Sequence, residues 1–189
     1  DTLLNNLGLK DAPPEIFWKY AREVFDALIE ALKDAPVPTD LIMSISCQNR
    51  YKPKVADLIR FCIDYRNHLI GLDLTNEKDN PASAYAPDIE RARGDIKFLT
   101  VHCMELMGPE RGWDALTLNP DRMAHCLRAV EDPKLVEELA RRKIPLEMCV
   151  NSNIVTGALI GGIKKHPMPK LYNAGALLVV GSDGCNDGS

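Results

Sequence analysis

The stretch LTVHCME, residues 99–105, decides the fold. Its first half is an apolar run rich in residues that favour strands, and its second half places His102 and Glu105 just beyond that run. Parallel α/β sheets and barrels carry their chemistry on polar side chains at the carboxyl ends of buried strands. The stretch therefore predicts a buried strand that ends at a histidine and a carboxylate.

Two later runs end in the same way. Residues 121–125 end on His125, and the apolar run at 177–183 ends on Asp183. A single histidine at a strand end is weak evidence of function. Three strands that end in a His-x-x-Glu, a His and an Asp together indicate a functional site. We expect these side chains to surround one pocket at the carboxyl ends of the strands.

Strand-like runs alternate with segments of helical periodicity along the chain. The predicted strands are 41–46, 69–74, 97–102, 122–126, 145–150 and 177–182, and helices are predicted to begin near Pro13, Pro53, Pro133 and Pro167. This alternation predicts a parallel sheet with helices outside it. Because a complete (β/α)₈ barrel has eight such units in about 250 residues, two architectures stay open here: an open doubly wound sheet and part of a barrel.

The composition of the 189 residues is that of one globular domain, with 46% hydrophobic and 26% charged residues. The formal net charge of -4 argues against a nucleic-acid or anionic-membrane surface. No apolar run approaches the roughly 20 residues that a membrane span needs. The six cysteines include no Cys-x-x-Cys pair, which favours reduced core thiols in a cytoplasmic protein over a disulfide framework.

Six short motifs, in order, resemble those of the adenosine deaminase family. They are GLDL at 71–74, TVHxxE at 100–105, RxxH at 122–125, ExCxxSNxxTG at 147–157, HP at 166–167 and SD at 182–183. The match runs from about residue 17 to the end of the chain. The resemblance implies a (β/α)₈ TIM-barrel type of fold with about six units present. Residues 1–189 would be a single metal-dependent deaminase-like domain, the C-terminal two-thirds of the family's domain.

The resemblance also implies an activity, the zinc-dependent hydrolysis of the 6-amino group of a purine nucleoside to the 6-oxo product and ammonia. His102 and Asp183 would be zinc ligands. Glu105 would protonate a nitrogen of the purine ring, and His125 would orient and deprotonate the water that zinc activates. The chemistry requires these residue types, because zinc lowers the pKa of water to about 7 and an amidine carbon resists attack until its ring nitrogen is protonated.

Substrate contacts carried over from the family fall on Asn76 and Gly184. Asn76 stands where the family has a glycine whose backbone N–H faces the purine, and Gly184 stands where it has a second aspartate. Two further motifs differ, since the family's His-Ala-Gly-Glu is HCME at 102–105 and its Gly-His-Gly is AHC at 124–126.

The family's His-x-His strand, which supplies two more zinc ligands, has no counterpart among the four histidines. We therefore expect the 189 residues alone to bind zinc weakly, and residues or another chain to complete the barrel. The expected partner is a purine nucleoside or nucleotide. Two other functions stay open: a catalytically silent relative that acts in binding or assembly, and another metal-dependent amidohydrolase on the same scaffold.

Overall fold

A computed structural model of the protein describes residues 12–183. The chain divides into two compact units at Asp40. Among the described residues of the first unit there is one helix, α1 (Pro14–Leu32), with a proline in its first turn. Proline is tolerated there because the first N–H groups of a helix have no partner within the helix. The single domain inferred from length stays a prediction.

The second unit is built on a six-stranded parallel sheet whose strands are adjacent in the order in which they occur along the chain. The strands are β1 (Leu41–Ser46), β2 (Leu69–Thr75), β3 (Phe98–Cys103), β4 (Arg122–His125), β5 (Leu146–Met148) and β6 (Leu178–Val180). A doubly wound sheet reverses its strand order at a switch point, whereas a barrel keeps the strands in sequence. The strand order therefore confirms the partial barrel.

Helices connect successive strands, as the predicted alternation requires. They are α2 (Val55–Asp64), α3 (Ala86–Ala92), α4 (Pro109–Leu116), α5 (Pro133–Arg142), α6 (Val150–Val155) and α7 (Met168–Asn173). Asp132 caps α5, since its side chain accepts hydrogen bonds from the backbone N–H groups of Lys134 and Leu135. None of the helices within residues 12–183 has the length and apolar character to cross a bilayer.

The strand predicted at 145–150 is shorter in the structure. β5 ends at Met148 because Cys149 leaves the extended conformation, with φ -95° and ψ 66°, and α6 begins at Val150. The apolar run through Cys149 and Val150 has the composition of a strand, and the sequence analysis did not predict this helix. The difference is important because α6 places Ser152 and Asn153 at the end of the sheet.

The middle of the sheet is its most buried part. Leu99, Val101 and Cys103 of β3 and Met123 of β4 are all at most 3% exposed. Strands of a parallel sheet lie between a helix layer and the barrel interior, so both of their faces are apolar. Cysteines 47, 62, 103, 126 and 149 are free and buried, in line with the predicted reduced thiols.

Candidate active site

Strained backbone marks the carboxyl ends of the strands. Seven non-glycine residues in the described chain have positive φ, and five of these lie at or just after strand ends: Asn76, Met104, His125, Cys126 and Asp183. The left-handed conformation costs an L-residue roughly 1–2 kcal/mol, so it persists where surrounding contacts impose it. Such positions concentrate at functional sites, and here they coincide with the predicted pocket.

His125 lies at the centre of this region and is 2% exposed. Its Nε2 atom is 3.1 Å from Nδ1 of His102, on the adjacent strand β3. On the other side of the ring, Nδ1 is 3.0 Å from Nδ2 of Asn153 and 3.8 Å from Oε1 of Glu105. The structure thus brings together His102, Glu105 and His125, which the sequence analysis singled out.

The hydrogen bonds around His125 form one directed chain. The amide of Asn153 donates to Nδ1 of His125, so the His125 proton lies on Nε2 and is donated to Nδ1 of His102. The remaining His102 proton, on Nε2, then points to Oδ2 of Asp73 at 3.0 Å. Asn153 fixes the tautomers of both histidines in this way.

The two histidines have opposite pKa shifts. Burial disfavours charge on His102, but the hydrogen bond and the negative charge of Asp73 outweigh it and raise the pKa of His102. Burial lowers the pKa of His125, and the nearby Glu105 opposes this shift only in part. His125 is therefore held neutral at physiological pH, the state in which an imidazole can accept a proton.

Two side chains, one within α6 and one at its C-terminal end, hold Glu105. The Asn153 amide donates to Oε1 at 3.1 Å and the Thr156 hydroxyl donates to the same atom at 3.3 Å. Within residues 12–183, no hydrogen bond reaches the other oxygen, Oε2. The carboxyl group is anchored by one oxygen and can present the other to a ligand.

Asp183 is exposed, and its Oδ2 accepts a hydrogen bond of 2.6 Å from the Ser152 hydroxyl. One ligand atom each from His125, Cys149 and Asp183 lie within 4.8 Å of one another. Nitrogen, thiolate and carboxylate donors are those that zinc takes. Burial, followed by the charges of Asp183 and of other carboxylates, raises the pKa of the Cys149 thiol to about 12.

The predicted substrate-binding residues lie at the rim. Asn76 is exposed with φ 62°, and its amide donates to the hydroxyls of Ser46 and Thr75 at 3.2 Å each. Asparagine is one of the few non-glycine residues that tolerate this conformation, which explains why it can replace the family's glycine. Gly184 lies outside the described residues. The roles assigned to the six site residues stay predictions.

Several contacts of this site were not assigned in the sequence analysis. They involve Asp73, Glu77, Cys149, Ser152 and Asn153, which hold or face the predicted residues. A signal for them was available, because a polar residue at the end of a buried strand must find hydrogen-bond partners there. Which partners it finds depends on neighbouring strands that are distant in sequence.

Comparison with known proteins agrees with this geometry. A family model described as "Adenosine deaminase" matches residues 17–186. The chain belongs to the adenosine deaminase family. Two of its curated relatives are an adenosine deaminase of Vibrio cholerae, 30% identical over 123 residues, and an adenine deaminase of Cupriavidus necator, 31% identical over 165 residues. These alignments cover 64% and 85% of this chain but only 36% and 47% of the relatives.

A solved structure gives the same result. The crystal structure of an adenine deaminase from Arthrobacter aurescens superimposes with a TM-score of 0.74 and 25% identity, over 85% of this chain and 49% of that one. The chain therefore spans about half or less of the length of these members of its family. These relatives are named for different purines, adenosine and adenine.

Proposed function

We propose that the protein hydrolyses the exocyclic amino group of a purine and releases ammonia, with zinc as its cofactor. The observation that carries this proposal is the buried, neutral His125, which lies beside the Glu105 carboxyl group at the ends of parallel strands. A base and an acid in contact at the end of a barrel are what hydrolysis of an aromatic amine requires.

The donor atoms around His125 fit a divalent metal. Nitrogen, sulfur and oxygen atoms of three residues from three strand ends lie within 4.8 Å of one another. The buried Oδ1 of Asp73, beside His102, has no hydrogen-bond partner in the described chain. Asp183 and His102 would be metal ligands, as carried over from the family, whereas His125 would stay off the metal and act as the base. Bound zinc would lower the pKa of a water molecule to about 7.

The protein's own residues then divide the proton transfers. His125, which burial keeps neutral, would accept a proton from the attacking water at Nδ1, in place of the hydrogen bond from Asn153, and would pass it to the departing amino group, which leaves as ammonia. Glu105, held through Oε1, gives a proton from its carboxyl group to a purine ring nitrogen and so makes the adjacent carbon electrophilic. Asn153 contacts both groups and fixes the distance between base and acid.

The partial barrel leads to a second part of the proposal. Strands β1 and β6 are the outer strands of the described sheet, and each pairs on one side only within residues 12–183. Unpaired strand edges are normally covered, and a closed barrel has none. We propose that further chain or a partner pairs with these edges and supplies the metal ligands that complete the site.

The direct test is the release of ammonia from adenosine, adenine and AMP, and of methylamine from N6-methyl-AMP, with and without added zinc. We expect one of them to be deaminated in a zinc-dependent manner when the barrel is completed, and poorly or not at all by the 189 residues alone. Glu105→Gln should lower kcat by about 10²–10⁴-fold, since general acid catalysis contributes that much. Glu110→Gln is the matched control, because Glu110 is an exposed acid of the adjacent helix α4.

The outcomes separate the competing functions. Purine binding without ammonia release, even with zinc and a completed barrel, would contradict the proposal and favour a silent binding protein. Ammonia release from a non-purine amine alone would favour another amidohydrolase. Turnover that survives Glu105→Gln unchanged would remove Glu105 from the mechanism.

A further inference from the structure

Glu77 is a buried carboxylate, 8% exposed, just beyond the end of β2. It accepts three hydrogen bonds from backbone N–H groups of the loop that follows β3. Met104 donates to Oε2 at 2.6 Å, while Leu106 and Met107 donate to Oε1 at 2.8 and 2.9 Å. These donors lie on both sides of Glu105 in the sequence. One side chain thus holds the backbone around the proposed catalytic acid.

Met104, the residue before Glu105, is clamped in a strained conformation. Its φ is 58°, its N–H is bound by Glu77, and its carbonyl accepts a 2.9 Å hydrogen bond from the N–H of Arg128. Its side chain is fully buried against Gly112, where an added Cβ would lie 2.5 Å from the Met104 sulfur. The peptide on either side of Met104 is therefore fixed, and with it the direction in which the chain enters Glu105.

The left-handed turn directs Glu105 back toward the sheet, where it reaches Asn153 and Thr156 on α6. A right-handed residue at 104 would rotate the following Cα–Cβ bond away from this contact. The left-handed conformation is unfavourable for methionine and needs an external restraint. Hydrogen bonds from backbone N–H groups to a buried carboxylate are charge-assisted and short, so Glu77 can supply that restraint.

We propose that Glu77 is a positioning residue, which sets the direction of the Glu105 carboxyl group through the left-handed turn at Met104. This inference rests on the proposed function as far as Glu105 is the catalytic acid. The geometric part, that Glu77 determines where Glu105 lies, is independent of any activity.

Glu77→Gln is the appropriate variant because it keeps the size of the side chain. Its one oxygen can still accept from Leu106 and Met107, but its NH₂ group would then face the N–H of Met104. The variant thus removes the hydrogen bond to the strained Met104 and retains the other two. Glu110→Gln is the control, since within the described chain Glu110 accepts a hydrogen bond only from the N–H of Gly108, at the far end of the same loop.

Two measurements on each variant decide the matter. The first is the NMR signal of the Asn153 side-chain amide, which donates to Glu105 and so reports its position without any substrate. We expect this signal to move in Glu77→Gln toward its position in Glu105→Ala, and to stay unchanged in Glu110→Gln. The second is turnover of the purine, for which we expect kcat to fall at least tenfold with KM changed less than threefold.

A purely structural role would lower the melting temperature of Glu77→Gln but leave the Asn153 amide signal and kcat unchanged, and this result would overturn the proposal. A shifted Asn153 signal with unchanged kcat would overturn the catalytic part of it. If the wild-type protein deaminates no purine, the proposed function fails, and the Asn153 signal alone still decides whether Glu77 positions Glu105.

Discussion

The two halves of the candidate site are supported very differently by the fold. His102 and His125 lie on β3 and β4, which are paired over four residues and have a neighbouring strand on each side. Asp183 follows β6, a three-residue strand that pairs only with β5 among the described strands. His125 is 2% exposed, whereas Asp183 is exposed and has a single hydroxyl partner among residues 12–183.

The difference shows where pre-organisation comes from. The inner half, on β3 and β4, is set by paired strands and by a chain of buried hydrogen bonds, so it is complete within this chain. The outer half, Asp183 after β6, takes its position from a short strand and from the chain that pairs with the free edge of that strand. A metal site built from both halves would have rigidly held side chains from the first half and a ligand of adjustable position from the second.

The largest expected effect comes from breaking the inner half. His125→Ala leaves one N–H of the Asn153 amide and Nδ1 of His102 without their present partner and opens a cavity, so it should destabilise the protein by about 2–4 kcal/mol. Asp183→Ala removes one contact at an exposed site and should cost about 1 kcal/mol or less. Guanidinium denaturation of both variants checks this, and equal losses of stability would contradict the comparison.

A smaller effect is expected in helix α6, whose side chains contact both halves of the site. Asn153 is fully buried and bonds to both Glu105 and His125, so Asn153→Ala should cost about 1–3 kcal/mol. Asn151→Ala on the same helix is the control, because its exposed side chain should matter by less than about 0.5 kcal/mol. Thermal melting distinguishes them, and a loss of similar size in both would mean that the buried contacts of Asn153 are not decisive.

How much the sequence could predict follows the same division. The strand predicted at 97–102 and its neighbours were placed to within two residues, because apolar runs on buried parallel strands are local signals. The helix α6 was missed, since Cys149 and Val150 read equally well as strand. The role of Glu77 could not be predicted, because its three partners lie 27–30 residues away and only the pairing of β2 with β3 brings them near.

The strain of the inner half can be measured at Met104. Replacement by alanine or by glycine removes the same buried side chain, but glycine adopts the left-handed conformation without steric cost. Met104→Gly should therefore be more stable than Met104→Ala by about 1 kcal/mol, although both are less stable than the wild type. Urea denaturation midpoints give the difference. Glycine less stable than alanine would mean that the turn is not under strain.

The smallest effect concerns a histidine near the outer half. His166, between α6 and α7, is 6% exposed; its Nδ1 accepts the N–H of Met168, but its buried Nε2 has no partner in the described chain. Burial lowers the pKa of His166 below its ordinary value of 6.5. The unfolded chain then binds more protons than the native state below about pH 6.5, so His166 lowers the free energy of unfolding as the pH falls toward its native pKa.

In His166→Asn the side-chain oxygen can still accept from Met168 but does not titrate. We expect this variant to lose less stability than the wild type between pH 7 and pH 5 in denaturant titrations. Parallel stability curves would contradict this prediction. They would show that the His166 ring is protonated in the folded protein as readily as in the unfolded one, so that burial does not disfavour its charge.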